Sequence, residues 1–412
     1  MYMSLRAAFL AGAFAVVGTA CLAEPISLDQ AVDKAIEAAP ILKANEAAIA
    51  AADAGKRQAD VRPNPVVSAE AENFIGTGPV DIFRQAEVTF TYSQQIERGG
   101  KRAARIALGE SEVELAKARA RAARLDIAAN VQRAYIDAQI AATVVRIASE
   151  RLGIERELQR EALRRVRGYK DPLFVETRSA ARVAEAELGL REAEFRLRNA
   201  QNALAAYWGG EGQTVEVAPD LNQQGLATTG LADADTAVAE AAIDRSRSAV
   251  VVEQTRATQD YTITGGLRYL RDTDDVAAVA GISIPIGRFD KNQGNIERAQ
   301  AERRQTEFLA EADRLARLRR LASLRADSDA ALTRANGIIT DVYPKTVRTL
   351  EQVREGYNRG GFRFSDIEDA SNAIIAAQES WLDAMNRYRD LQPEIDRLTG
   401  RFDVAAAEES TQ

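Results

Sequence analysis

The chain has 412 residues, 46% of them hydrophobic but only 6% aromatic, and it carries a formal net charge of −7. That acidic balance excludes the basic footprint expected of a protein whose partner is nucleic acid. Histidine is absent and Cys21 is the one cysteine, so the usual zinc and copper ligand sets and most nucleophile–base constellations cannot be assembled, and no cofactor is expected.

The N-terminus reads as an export signal. Arg6 gives a positive start, Ala7 to Ala20 form a short apolar run, and small residues follow. Two processing routes stand open. Cleavage after Ala23 would remove residues 1–23 together with Cys21. Alternatively, Gly18-Thr19-Ala20-Cys21 would serve as a lipid-attachment box, with Gly18 where leucine is usual. Either route takes the chain out of the cytoplasm. No later segment has ~18 uninterrupted apolar residues, so no membrane-spanning helix is expected.

A first structural repeat is expected over residues 24–208. Ser27-Leu28-Asp29-Gln30 is a capping box for a helix interrupted at Pro40 and resuming to Ala59. Alternating segments at about 65–75 and 86–96 follow. From Lys101 to Arg167 there is no proline, which at ~1.5 Å per residue predicts a helix ~100 Å long. Gly168-Tyr169-Lys170-Asp171-Pro172 then makes a turn, with Asp171 expected to cap the next helix and Pro172 at its first position. That helix runs to Trp208. A glycine-rich linker fills 209–232, a second repeat with strands at about 260–270 and 276–287 fills 233–400, and 401–412 is a tail.

The duplication is visible residue by residue. Ser93 to Ile96 with Arg98 and Lys101 aligns with Ser283 to Ile286 with Arg288 and Lys291. The heptad series Val183, Leu190, Leu197, Leu204 aligns with Ile374, Trp381, Tyr388, Ile395, and Ala186, Ala193, Ala200 with Ala377, Ala384, Leu391. Such series imply long helices packed side by side. In the alternating segments, Val88, Phe90 and Tyr92 share a face while Glu87, Thr89, Thr91 and Ser93 fill the other; Val276, Ala278, Ala280 and Ile282 repeat the pattern. This suits either a tilted transmembrane β-strand or a half-buried hairpin of a soluble sheet. Four strands cannot close a barrel alone, so the membrane reading requires several chains.

Three stretches carry a family resemblance: Gln95 to Arg102, Phe289 to Asn295, and Gly356 to Ala370. Together with the duplication they resemble the TolC family of outer-membrane efflux channels across Ser27 to Gly400. The resemblance implies a mainly α protein with transmembrane β. A homotrimer would place four strands per subunit in one twelve-stranded β-barrel, continued by a periplasmic α-helical barrel. It further implies a passive duct rather than an enzyme, set in outer-membrane lipid. Its partners would be a periplasmic adaptor (membrane fusion) protein and an inner-membrane efflux pump. Loops Ile75–Arg84 and Arg271–Asp275 would face outside the cell. Tyr357, Asp366 and Asp369 match positions of the family's periplasmic aperture, and Asp171 stands in the first tip. Where the family pattern has arginine this chain has Phe362, leaving Arg359 or Arg363 to substitute. The bland alternative for each tip charge is ordinary solvated hairpin chemistry.

Gly99-Gly100-Lys101-Arg102 and Val342-Tyr343-Pro344 look most like the branch serving cobalt–zinc–cadmium efflux, which implies divalent metal ions as substrate. Drug or small-molecule efflux and type I secretion are alternatives within the family. A periplasmic adaptor is the alternative outside it, disfavoured because an adaptor would carry one helical hairpin rather than two. A carboxylate-based periplasmic enzyme is a third reading, disfavoured by the lack of a pocket-forming βα pattern.

Overall fold

A computed structural model describes residues 25–80, 83–210, 215–218 and 230–403. Cys21 and the rest of the signal segment, most of the linker and most of the tail lie outside them.

The first helix forms where its cap says it should. The Ser27 hydroxyl accepts the Gln30 N–H at 3.2 Å, and the Gln30 side chain accepts the Ser27 N–H at 3.0 Å. Helix α1 (Leu28–Ala38) stops before Pro40, which opens α2 (Pro40–Ala59) at a position needing no backbone donor. Strands β1 (Val66–Glu72) and β2 (Glu87–Ile96) lead into α3 (Lys101–Arg167), an unbroken helix of 67 residues. The chain returns along it as α4 (Phe174–Ala205). The second half repeats the order: α5 (Asp233–Arg256), β3 (Tyr261–Leu270), β4 (Asp275–Ser283), α6 (Gln293–Gly337), α7 (Tyr343–Arg359) and α8 (Phe364–Thr399).

The second repeat differs from the first in its long helix, where a π-helical turn, Ile338–Val342, separates α6 from α7. Pro344 has no N–H for the carbonyl of Thr340, so the regular ladder cannot pass this point and rewinds into a wider turn. The outer strands are also shorter than the alternation promised, β1 ending at Glu72 and β4 at Ser283.

The helices pack through small residues. In α4, Ala186 and Ala193 are buried against α3, while Val183, Leu190 and Leu197 are only half-buried. Alanine lets the backbones approach closely, which keeps two very long helices in register. The largest buried cluster joins Leu28, Ala31, Val32 and Ala35 of α1 to Ala128, Val131, Tyr135 and Ala138 of α3 and Leu204 of α4.

The four strands form one antiparallel sheet in the order β1-β2-β3-β4, so β2 and β3 join the two repeats at its centre. Its faces are chemically distinct. Val67, Phe90, Tyr92, Ile263, Leu267, Val276 and Ile282 all stand exposed on one of them. The other carries Ser68, Thr91, Ser93 and Thr264, with Ser68–Thr91 and Ser93–Thr264 hydroxyl bonds of 2.6 and 3.0 Å. A soluble sheet would cover its apolar face; among the described residues nothing packs on it, and β1 and β4 are open edges. No described helix is long and apolar enough to cross a membrane.

Candidate functional site: the paired hairpin tips

The two helical hairpins, α3–α4 and α7–α8, bring their turns to the same end of the molecule, around a shared cluster of Leu158, Ala162, Val175, Tyr357, Phe364 and Ile367. Tyr357 is its centre, with 0% exposure, and its ring lies 6.1 Å from that of Phe364. A buried phenol needs a partner for its hydroxyl. Here the partner is the Asp171 carboxylate of the first turn, which accepts the Tyr357 hydroxyl.

Arg165, in the last turn of α3, completes the arrangement. Its guanidinium grips Asp171 through Nε and Nη2 at 2.9 and 3.1 Å, and donates from Nη1 to the Tyr357 carbonyl at 2.5 Å. It also stacks 4.2 Å from the centre of the Tyr357 ring. The two bonds to Asp171 brace the first turn, while the bond from Arg165 to the Tyr357 carbonyl, the Tyr357 hydroxyl on Asp171 and the stacked ring fasten that turn to the other. The hydrogen bond from Arg165 holds the Asp171 carboxyl below its ordinary value, aided by the Tyr357 hydroxyl and opposed by burial. Burial first, then the bond to Asp171, push the Tyr357 hydroxyl well above its ordinary value, so it donates throughout the physiological range.

Asp171 thus does something other than the capping expected of it. Helix α4 begins at Phe174, its N-cap Leu173 makes no side-chain cap bond, and the Asp171 carboxylate is fully engaged by Arg165 and Tyr357. The stronger guanidinium partner wins over a backbone N–H.

Neither Arg359 nor Arg363 reaches this point. Arg359 is exposed and pairs with Glu355 one turn back on its own helix. Arg363 is exposed, and its backbone N–H donates to Asp366 Oδ2 at 2.7 Å, closing the start of α8. Phe362 cannot act as a charge, and it packs over Gly356, where a Cβ would stand 2.1 Å from its ring. Arg165 supplies the guanidinium instead. It was hidden in sequence as one of three arginines, Arg164, Arg165 and Arg167, that complement the end of a helix. Asp366 is half-buried and Asp369 exposed, both on the first turns of α8, with no bond between them.

A second set of buried charges, also missed in the sequence, lies a few turns further up the hairpins. Arg182 of α4 grips Glu155 of α3 at 2.6 and 2.8 Å and touches Asn372 of α8 at 3.0 Å. Arg178 pairs with Glu368 at 2.7 Å, and Arg354 with Glu161 and Glu157. Glu155 and Glu368 are 2% and 3% exposed. Burial pushes the Glu368 carboxyl up despite Arg178 and Arg182 beside it. These charges knit helices; among the described residues no group of three or more acidic or cysteine side chains is placed to hold a metal ion.

Comparison with known proteins bears on what such a molecule is. Residues 31–210 match the family described as Outer membrane efflux protein. The cobalt-zinc-cadmium resistance protein CzcC of Cupriavidus metallidurans is 31% identical, over 97% of this chain and 98% of its own. The chain belongs to the outer membrane efflux protein family. A second member, the nickel-cobalt-cadmium resistance protein NccC of Alcaligenes xylosoxydans xylosoxydans, is 28% identical over 65% of this chain and 62% of its own. Among solved structures, CusC, described in terms of folding and transmembrane channel formation, superposes with a TM-score of 0.72. It covers 90% of this chain and 91% of its own at 16% identity. The outer membrane efflux fold is therefore that of the whole described chain, both hairpins and the sheet included.

Proposed function

We propose that this chain is the outer-membrane duct of a tripartite efflux pump and not an enzyme. Three copies pool their strands into one twelve-stranded barrel, and the long helices continue it as a tunnel through the periplasm. Residues 1–23 act as the export signal. The observation that carries this reading is the sheet: an apolar face that no described residue covers, a polar face, and two open edges, mounted on helices of up to 67 residues. In lipid such edges must be closed, and only other chains are available to close them.

Divalent metal ions are the substrate class, supported by the resistance names of CzcC and NccC and by the acidic side chains Asp366 and Asp369 at the second tip. Three chains would set six such carboxylates around one axis, an arrangement that attracts cations. The duct passes ions delivered by an inner-membrane pump through a periplasmic adaptor. The Arg165–Asp171–Tyr357 latch holds the tips in one arrangement.

Two measurements test the proposal. Protein extracted from outer membranes in detergent should have three times the mass of one chain. Deleting the gene should lower tolerance to cobalt, zinc or cadmium. A monodisperse soluble monomer would remove the duct reading, and unchanged metal tolerance with new drug sensitivity would move the substrate to small organic molecules.

A further inference from the structure

The duplication leaves a pair of arginines that conduction itself does not use. Arg98 and Arg288 hold equivalent places in the two repeats, each a few residues past the end of a strand and just before a long helix. Each lies over an aromatic ring, Arg98 5.9 Å from the centre of Tyr261 and Arg288 5.5 Å from that of Phe289. Tyr261 pairs with Ile96 in the last rung of the central ladder, and both lie on the apolar face. Arg98 therefore stands at the boundary where that face gives way to the helices.

The carboxylates at this level are already engaged. The segments joining sheet to helices, residues 60–65, 96–105, 257–261 and 284–292, hold seven cations and four carboxylates. Asp60 is taken by Arg102 at 2.7 Å, Asp260 by Lys101 at 2.8 Å, and Glu97 by Arg105. Asp290 accepts the Asn292 N–H at 2.8 Å. Among the described residues Arg62, Arg98, Arg288 and Lys291 form no ion pair, and the level carries a net charge of +3 per chain. Bare apolar side chains accompany that charge. The alternation of β4 runs on past its last paired residue, Ser283, as Ile284 and Ile286, and these with Phe289 are 52%, 90% and 85% exposed. Unpaired cations beside uncovered apolar groups match a partner with an anionic head and a hydrocarbon tail.

Resting on the barrel reading above, we propose that this level is a phospholipid-binding collar. Arg98 and Arg288 hold headgroup phosphates of the leaflet on the helix side, while Ile286 and Phe289 enter its hydrocarbon. A guanidinium presents paired donors that match two phosphate oxygens, and it stays compatible with an aromatic face at the same time. The rings of Tyr261 and Phe289 thus steady the donors at the depth where aromatic side chains favour the membrane boundary. Two such pairs per chain put six around a trimer, which fixes how deep the barrel sits.

The two-part chemistry of the collar supplies its test. Full-length trimers in detergent would be titrated with phosphatidylglycerol, and the lipids retained per trimer counted by native mass spectrometry. Diacylglycerol with the same chains, which lacks the phosphate, and inorganic phosphate, which lacks the chains, would be titrated beside it. Wild type should retain phosphatidylglycerol in preference to both. Arg98→Gln and Arg288→Gln should each weaken that retention about fivefold, which corresponds to ~1 kcal/mol for one cation near an anionic lipid surface. Lys345→Gln, which removes an exposed cation of α7, should leave it unchanged. The Arg288 side chain makes no hydrogen bond or ion pair among the described residues, so Arg288→Gln keeps the test alive if Arg98→Gln trimers assemble poorly. Equal phosphatidylglycerol retention by wild-type and Arg288→Gln trimers overturns the collar while leaving the duct intact, as does equal retention of diacylglycerol or of inorganic phosphate. Failure of Arg288→Gln to form trimers would also overturn it, by seating this segment on the neighbouring copy. Wild-type protein that proves a soluble monomer would instead remove the duct reading, and the collar with it.

Discussion

Tyr357 and Glu368 are both buried near the hairpin tips, and they behave oppositely. Every polar atom around Tyr357 has a partner, so removing one should be costly. Tyr357→Phe keeps the ring in its cluster but leaves Asp171 with Arg165 alone, which should cost ~1–3 kcal/mol, the price of leaving a charged acceptor underbonded. The two tips should then separate more readily, read as a larger single-channel conductance at unchanged trimer yield; an unchanged conductance would make the latch purely structural. Its pH dependence has a definite sign. Asp171 has a folded pKa below its ordinary 3.8, so its contribution is complete above the ordinary value and fades as pH falls below about 4. Asp171→Asn should abolish that acid sensitivity, and conductance that still rises in acid in this variant would place the sensitivity elsewhere. Glu368 is the reverse case. Burial raises its pKa above 4.5, so ionisation is a burden that grows as pH rises. Glu368→Gln should therefore raise the thermal midpoint in detergent at pH 7, and the gain should vanish near pH 4, where the wild-type carboxyl is itself protonated. A lower midpoint at both pH values would mean that the Arg178 pair outweighs burial.

At the scale of elements, legibility followed the range of the interaction. The Ser27–Gln30 box, the stop at Pro40 and the uninterrupted run from Lys101 to Arg167 depend on neighbours within a few residues, and the structure has all three. Period-two alternation placed the strands, but their ends depend on pairing, and β4 stops at Ser283 because its last paired residue faces Thr262. The π-helical turn before Pro344 was missed because a proline in a long helical pattern announces a break without its kind. Arg165 was missed for a deeper reason: its partner Tyr357 is 192 residues away, and no local pattern distinguishes it from Arg164 and Arg167. The adjacent glycines of β3 make a matched test of sheet packing. A Cβ at Gly266 would stand 2.3 Å from the Phe90 carbonyl oxygen, whereas one at Gly265 would meet nothing within 4 Å. Gly266→Ala should push β2 and β3 apart at the seam between the repeats, costing ~1–3 kcal/mol, while Gly265→Ala should assemble like wild type. Equal trimer yields from the two would show that the seam relaxes freely.

For the whole molecule, the decisive question is which face of the sheet meets lipid. The helices bury part of their apolar surface within the chain, although Leu188, Phe195, Phe308 and Leu309 stay exposed, and among the described residues nothing covers Phe90, Leu267, Val276 and Ile282 of the sheet. Two neighbours on β4 lie on opposite sides of this divide. Ala280 pairs with Gly265 on the apolar face, and Val279 pairs with Gly266 on the polar one. Both sit opposite a glycine, so neither new side chain meets a side chain directly across the ladder on β3. Arginine on the lipid side of a membrane barrel costs ~2–4 kcal/mol near the midplane, and a trimer would bear that three times over. Arginine on the lumen side stays in water. Ala280→Arg should therefore sharply reduce heat-resistant trimer in the outer membrane, while Val279→Arg should leave it near wild type and alter only the ions that pass. If the sheet instead stood in water on both faces, as it does in the single chain, the two variants would accumulate equally. Adjacent residues with opposite outcomes would thus separate a barrel wall from an exposed hairpin without requiring any measurement of transport.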